Sequence, residues 1–196
     1  MSDQPPAVPR RELRDPAELR ALAHPLRLAI LDLLAELGTA TATEVSARLN
    51  ESPANCSWHL RQLARYGYVE EAGTGPGRTR RWRLVLEFRR VDQMSGELER
   101  ALDAVQDVQL ERQVQAIRDW RARRREEPAW AETTVESDCW TWLTAEEAAE
   151  FQAAYERLLQ EHILPRSRRA HATDRPPGSR PVRVLYWFFP TGPVST

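Results

Sequence analysis

Between Ser52 and Arg83 the chain gathers the side chains that hold a polyanion: hydroxyls, carboxamides and, above all, arginine. At about 100° per residue, Cys56, Leu60 and Leu63 fall together on one side of a helix, with His59 at their edge. Ala54, Trp58, Arg61, Gln62 and Arg65 fall on the other side. Asn and Gln pair with adenine and Arg with guanine, whereas hydroxyls and Arg also take phosphate oxygens. Base reading is assigned to Ala54, Asn55, Trp58 and Gln62, and phosphate contact to Ser52, Ser57, Arg61 and Arg65. Four arginines then fall among the six residues from Arg78 to Arg83, where Arg78, Thr79, Arg80 and Arg81 suit a ribbon lying along a phosphate backbone. Trp58 has two readings: it covers thymine methyl groups, or it packs on the ribbon or on a partner subunit.

The elements that must carry these side chains are marked by their ends. Thr41 and Glu44 have the spacing of a capping box, and Val45 and Leu49, four apart, share one helical face. The chain breaks at Asn50-Glu51 and restarts at Ser52-Pro53, an N-cap followed by proline at the first helical position. Gly67 ends that second helix, and Tyr68–Glu71 begins a strand. Gly73, Gly75, Pro76 and Gly77 form a hairpin tip, and the return strand closes with Leu84-Val85-Leu86. Upstream, Asp15-Pro16 opens a short helix with Leu19, Leu22 and Ala23 facing inward. Leu26 to Leu37 is apolar nearly all round, as a buried helix should be, and Gly38 stops it. Helix, turn, helix and basic hairpin in this order predict a winged helix-turn-helix, with its second helix in the major groove.

The run Ala23-His24-Pro25-Leu26-Arg27-Leu28-Ala29-Ile30-Leu31, followed by Ser57-Trp58-His59-Leu60-Arg61-Gln62-Leu63 and Gly67-Tyr68-Val69, resembles the ArsR-type winged-helix repressors over residues 16–86. The resemblance implies a repressor of double-stranded DNA, released by a small-molecule or protein effector that these motifs do not identify. Metal-sensing members carry a cysteine pair on the helix before the recognition helix, or His/Asp/Glu ligands on the terminal helix. Here Glu44–Leu49 has no cysteine, and the long helix from Ser95 to Arg125 has no histidine, so no metal and no cofactor are expected. Cys56 stands where the family places a small apolar residue, which favours packing over redox sensing. His24 and His59 also fall at structural positions of the family.

Composition narrows the remaining classes. The chain has 196 residues and a net charge of −1, so no global basic field exists. From Ser46 to Arg83, however, seven arginines face three glutamates, and local charge governs a groove-facing surface. The chain contains no lysine. Two cysteines, Cys56 and Cys139, make no disulfide framework, and no apolar run reaches the length of a membrane span. A cytoplasmic protein is expected, without membrane contact. No nucleophile elbow or paired histidine and acid stands out. Gly73, Gly75 and Gly77 lack the strand-to-helix setting of a phosphate loop, so an enzyme is not expected.

The expected fold class is mainly α with a small β component (α+β), in four parts. Residues 1–14 form a flexible arm, 15–86 the winged helix-turn-helix, 87–127 a long helix, and 128–196 a small α/β appendage. In the long helix, Leu98, Ala101, Leu102, Val105 and Val108 form a seam that Leu110, Val114, Ile117 and Trp120 continue with shifted phase. Homodimerisation through this helix is the first reading, and packing against the C-terminal segment the second. Pro128 closes the helix. Residues 130–142 are β-prone, Thr144 and Glu147 have capping-box spacing before an apolar-striped helix, 165–181 is a mobile loop, and Val182–Phe189 is the strongest strand. The aromatic set Trp130, Trp140, Trp142, Tyr155, Tyr186, Trp187, Phe188 and Phe189 either forms the appendage core or lines a pocket for an apolar effector. The functional expectation is a dimeric repressor reading its operator through residues 52–66 and 73–83. The alternative is a winged-helix protein-interaction module without specific DNA binding.

Overall fold

The computed structural model describes residues 10–74, 79–91, 95–167 and 175–192. Its first layer is helical: α1 (Pro16–Arg20), α2 (Pro25–Leu37), α3 (Ala42–Leu49) and α4 (Pro53–Arg65). Each starts where side-chain chemistry satisfies the free N–H groups of a helix end. Asp15 accepts from Ala17 N, His24 Nδ1 from Leu26 N, and Ser52 from Asn55 N. Thr41 and Glu44 form the reciprocal capping box. Gly38 (φ 80°) releases the chain from α2, and Asn50 turns it between α3 and α4 in the left-handed region (φ 54°).

A three-stranded antiparallel sheet in the order β2 (Thr39–Thr41), β4 (Arg80–Leu84), β3 (Val69–Thr74) lies against these helices. Trp82 is buried, opposite Ala40 on one side and Glu71 on the other. The β3–β4 register shifts between Glu71 and Thr74, with Gly73 at φ 91°, a bulge that bends the wing. Ile30, Leu34, Val45, Cys56, Leu60 and Leu63 are fully buried between helices and sheet. Each large aliphatic side chain there contributes about 1.5–3 kcal/mol. A second cluster of Leu13, Leu19, Leu98, Ala101 and Val105 fixes α5 (Gly96–Arg123) to α1. Ser95 caps α5, and Glu97 and Glu99 occupy its first turn. After α5 come a 3-10 turn and α6 (Pro128–Ala131). Then α7 (Ala145–Leu158), capped by the Thr144–Glu147 box, runs through a π-helical stretch at Leu159–Ile163 into α8 (Leu164–Ser167). No helix among the described residues is long and apolar enough to cross a membrane.

The observed architecture is mostly helical with a small antiparallel sheet, an α+β winged helix. Several local expectations change. The predicted arm includes β1 (Arg10–Glu12), which pairs in parallel with β5 (Phe88–Arg90), and Leu13 is buried; residues 1–9 lie outside the described part. The strand β2 was not foreseen, and the return strand ends at Leu84 rather than Leu86. Pro128 does not close α5 but opens α6. Residues 132–143 and 175–192 form no strand, so the appendage contains only helices among the described residues. The expected 165–181 loop begins inside α8, and 168–174 lie outside the described part. The physical reason is common to most of these: a strand exists only where a partner edge satisfies it, which single-sequence periodicity cannot see.

Candidate nucleic-acid interface

α4 presents its outer face as its periodicity requires. Ala54, Trp58, Arg61 and Arg65 are exposed, Asn55, Ser57 and Gln62 are half-buried, and Cys56, Leu60 and Leu63 point into the core. His59, read as an edge residue, is buried as well. Its ring lies 4.5 Å from that of His24, and Trp58 stands edge-on to it at 4.7 Å. Burial lowers both histidine pKa values from the ordinary 6.5. Arg27 lowers them further and Glu51 opposes the shift; His24 adds to the lowering at His59. Both imidazoles are thus neutral at pH 7, consistent with His24 Nδ1 accepting the Leu26 N–H at 3.1 Å. Trp58 remains 48% exposed despite its contact with His59, and this is the largest apolar surface α4 offers to a groove.

A hollow of about 360 Å³ opens beside this face, lined by Thr41, Ala42, Thr43, Ser57, Arg61, Thr79, Arg80 and Trp82. Three elements meet there: the N-terminus of α3, the middle of α4 and the wing strand β4. The first N–H groups of α3, at Ala42 and Thr43, have no helical carbonyl to reach, and with the helix dipole they favour an anion. Arg61 and Arg80 add two cations, and Ser57 and Thr79 add hydroxyls. The α3 contribution was missed in the sequence reading, although the Thr41–Glu44 box marked that helix end.

The wing arginines are not equivalent. Arg81 donates to the Thr39 carbonyl at 3.1 Å and the Thr39 hydroxyl at 3.2 Å, and lies 3.3 Å from Glu44. It ties β4 to β2 and α3, contacts that it would have to give up to reach a phosphate. The Glu44 carboxyl is held below its ordinary pKa first by the Thr41 backbone N–H, with Arg81 contributing less. Arg80 pairs with Glu71 at 2.9 Å, and Arg83 with Glu70 at 2.7 Å directly across the hairpin. These exposed pairs are worth about 0–1 kcal/mol, so a phosphate competes with them readily. Asn55 Nδ2 donates to Glu51 at 3.0 Å and must leave it to read a base. Arg65 lies over the Tyr66 ring, and Ser52 spends its hydroxyl on the α4 cap. Arg78 and the hairpin tip at 75–77 lie outside the described residues.

A staple behind the interface was invisible in the sequence. Arg89, on β5, stacks over Tyr68 at 3.8 Å, donates to the Tyr66 and Gly67 carbonyls, and pairs with Glu87 at 3.2 Å. It satisfies carbonyls at the C-terminal end of α4, where a cation also meets the helix dipole favourably. Gly67 adopts φ 70°, and a Cβ there would approach Arg11 at 3.3 Å. Among the described residues, no three His, Cys, Asp or Glu side chains converge as metal ligands would.

Comparison with known proteins agrees with this geometry. Residues 22–72, about a quarter of the chain, match the helix-turn-helix domain family. No curated protein matches the chain. The match begins near the end of α1 and ends within β3, so it covers α2, α3 and α4 with the turn between them. This chain therefore carries a helix-turn-helix domain, elaborated with a wing, of the kind by which DNA-binding regulators engage a duplex.

Proposed function

We propose that the protein is a dimeric, ArsR-like transcriptional repressor that grips operator DNA through α4 and the wing. The observation that carries this reading is the hollow in which the α3 N-terminus, Arg61 and Arg80 converge beside an exposed Trp58. In the bound state a phosphate occupies that hollow, and α4 enters the major groove. Trp58, Gln62 and Ala54 then face base edges, with the Trp58 ring over thymine methyl groups. Ser57, Thr79 and Arg65 contact the backbone. Arg81 acts as a positioning residue for the wing, and Ser52 as the cap of α4.

Dimerisation through α5 is supported by its second half. Leu110 is 48% exposed, and Val114 and Ile117 continue its face at the i+4 and i+7 positions. The first half of α5 is already spent on α1. Two winged domains joined this way read two half-sites about one helical turn apart.

The test is fluorescence-anisotropy binding to the DNA upstream of the protein's own coding sequence, beside a scrambled duplex, over a salt series. Preference for the upstream duplex with a steep salt slope is expected. Absence of binding to either duplex at low salt would overturn the reading. The rival, a protein-interaction module, is favoured by the pairing of Arg80 and Arg83 with Glu71 and Glu70. Changing Arg61 and Arg80 together to Ala decides between them: loss of DNA binding with fold and dimer retained supports the repressor.

A further inference from the structure

Behind Trp58, the recognition helix rests on a pair of imidazoles. His24 is the N-cap of α2 and His59 lies in the middle of α4, with ring centroids 4.5 Å apart and planes tilted by 47°. Trp58 meets the His59 ring at 4.7 Å and 83°, an edge-to-face contact that fixes the angle of a ring as well as its place. The indole is 48% exposed, and the support it has on this side is a ring whose charge can change.

Neither imidazole has room for a second proton. His24 Nδ1 accepts the Leu26 N–H at 3.1 Å, so protonation there breaks the cap of α2. His59 Nδ1 is buried without a hydrogen-bond partner among the described residues, so a proton there adds a buried donor with nothing to accept it. Charges on the surrounding elements matter too. From α2, Arg27 acts on both rings, and its own Nε is buried without a hydrogen-bond partner among the described residues. From the turn between α3 and α4, Glu51 opposes Arg27, but it is exposed and already accepts from Asn55 Nδ2 at 3.0 Å. Cys56, one turn before His59 on α4, is kept a neutral thiol by burial and by Glu51. Two imidazolium rings at this separation also repel each other.

We propose that His24 and His59 are positioning residues for Trp58, and that protonation of the pair releases the indole from its fixed angle. The proposal rests on the DNA reading given above and deepens it: acid lowers the preference of α4 for its operator, while the added positive charge leaves its hold on phosphates undiminished. Arginine contacts supply affinity at any pH in this range, and the neutral histidine pair supplies the orientation by which Trp58 discriminates.

The test uses the full-length protein between pH 7.5 and 5. The fluorescence of the unaltered chain minus that of Trp58→Phe isolates Trp58 among seven tryptophans. A protonated imidazole quenches a touching indole more strongly than a neutral one. Trp58 emission is therefore expected to fall with a midpoint below 6.5 while circular dichroism stays constant. His59→Leu should abolish the change. His24→Asn, which keeps a good N-cap, should move the midpoint upward by removing the neighbouring ring that opposes protonation of His59. In parallel, the ratio of affinities for the upstream and scrambled duplexes is expected to fall about tenfold over the same range, the worth of one base contact. Binding to the scrambled duplex should not weaken. Trp58 emission independent of pH, a midpoint unmoved by His24→Asn, or a change seen only as the fold is lost would each overturn the proposal. A titrating Trp58 with a constant affinity ratio would overturn the positioning role. A titrating Trp58 with no preference between duplexes at pH 7.5 would overturn the operator reading and leave the hold of the pair on Trp58 standing.

Discussion

Arg61 and Arg81 differ in what already holds them, and that difference separates a proposed DNA contact from a brace. Arg61 lines the hollow and is exposed, whereas Arg81 is engaged by Thr39 and Glu44. Arg61→Ala is expected to weaken operator binding roughly 10- to 100-fold, the worth of one charge-assisted contact. It should also flatten the slope of log K against log salt by about 0.9. Arg81→Ala should leave that slope unchanged and lower the melting temperature instead, which anisotropy and thermal unfolding read separately. Glu71→Gln removes the competitor of Arg80 and is expected to tighten binding at low salt, measured in the same titration. The histidine pair sets a pH dependence. Because burial holds the folded-state pKa of His24 and His59 below 6.5, the unfolded chain binds more protons below that pH. Stability is therefore intact above about pH 6.5 and falls as pH drops through that value towards the lower folded-state pKa. Urea unfolding between pH 7.5 and 5 checks this, and His59→Leu should reduce the loss.

Among the elements, α4 depends on both its ends. Ser52 caps the start, so Ser52→Ala should cost about 1 kcal/mol and Ser52→Gly only a few tenths, read as a shift in urea midpoint at constant m-value. Arg89 closes the other end, and Arg89→Ala should cost about 2 kcal/mol by leaving the Tyr66 and Gly67 carbonyls without their charged donor. Both ends matter for the proposed reading of DNA, since a frayed α4 cannot hold Trp58 and Gln62 at fixed angles. The caps were legible in the sequence: Asp15, Thr41, Ser52, Ser95 and Thr144 all cap the helices they precede. The Arg89 staple was not, because the carbonyls it closes, at Tyr66 and Gly67, lie more than twenty residues away.

For the whole molecule, apolar surface is unevenly spent. The winged domain buries its core, whereas no described residue beyond Val105 is buried, and Trp140 and Trp142 are 78% and 83% exposed. Leu110→Asp, placed on the exposed face of α5, is expected to convert the proposed dimer into a monomer by light scattering. It should also lower operator affinity roughly 100-fold, the avidity of two linked half-sites. The winged domain should keep its fold, since Leu110 lies outside both buried clusters.

What the sequence determined by itself is whatever depends on near neighbours. Thr41-x-x-Glu44, Ser52-Pro53 and the spacing of Cys56, Leu60 and Leu63 placed α3, α4 and the inward face of the recognition helix. Propensity, capping and helical period act within about four residues. Tertiary structure alone decided that His59 is buried against His24, that Arg81 braces the wing, and that Thr41–Thr43 join Arg61 and Arg80 around one hollow. It also decided which β-prone stretches become strands. Arg10–Glu12 and Thr39–Thr41, with little local signal, are strands because partner edges lie beside them. Val182–Phe189, with the strongest signal, is no strand in a single chain, because its hydrogen bonds require a partner edge.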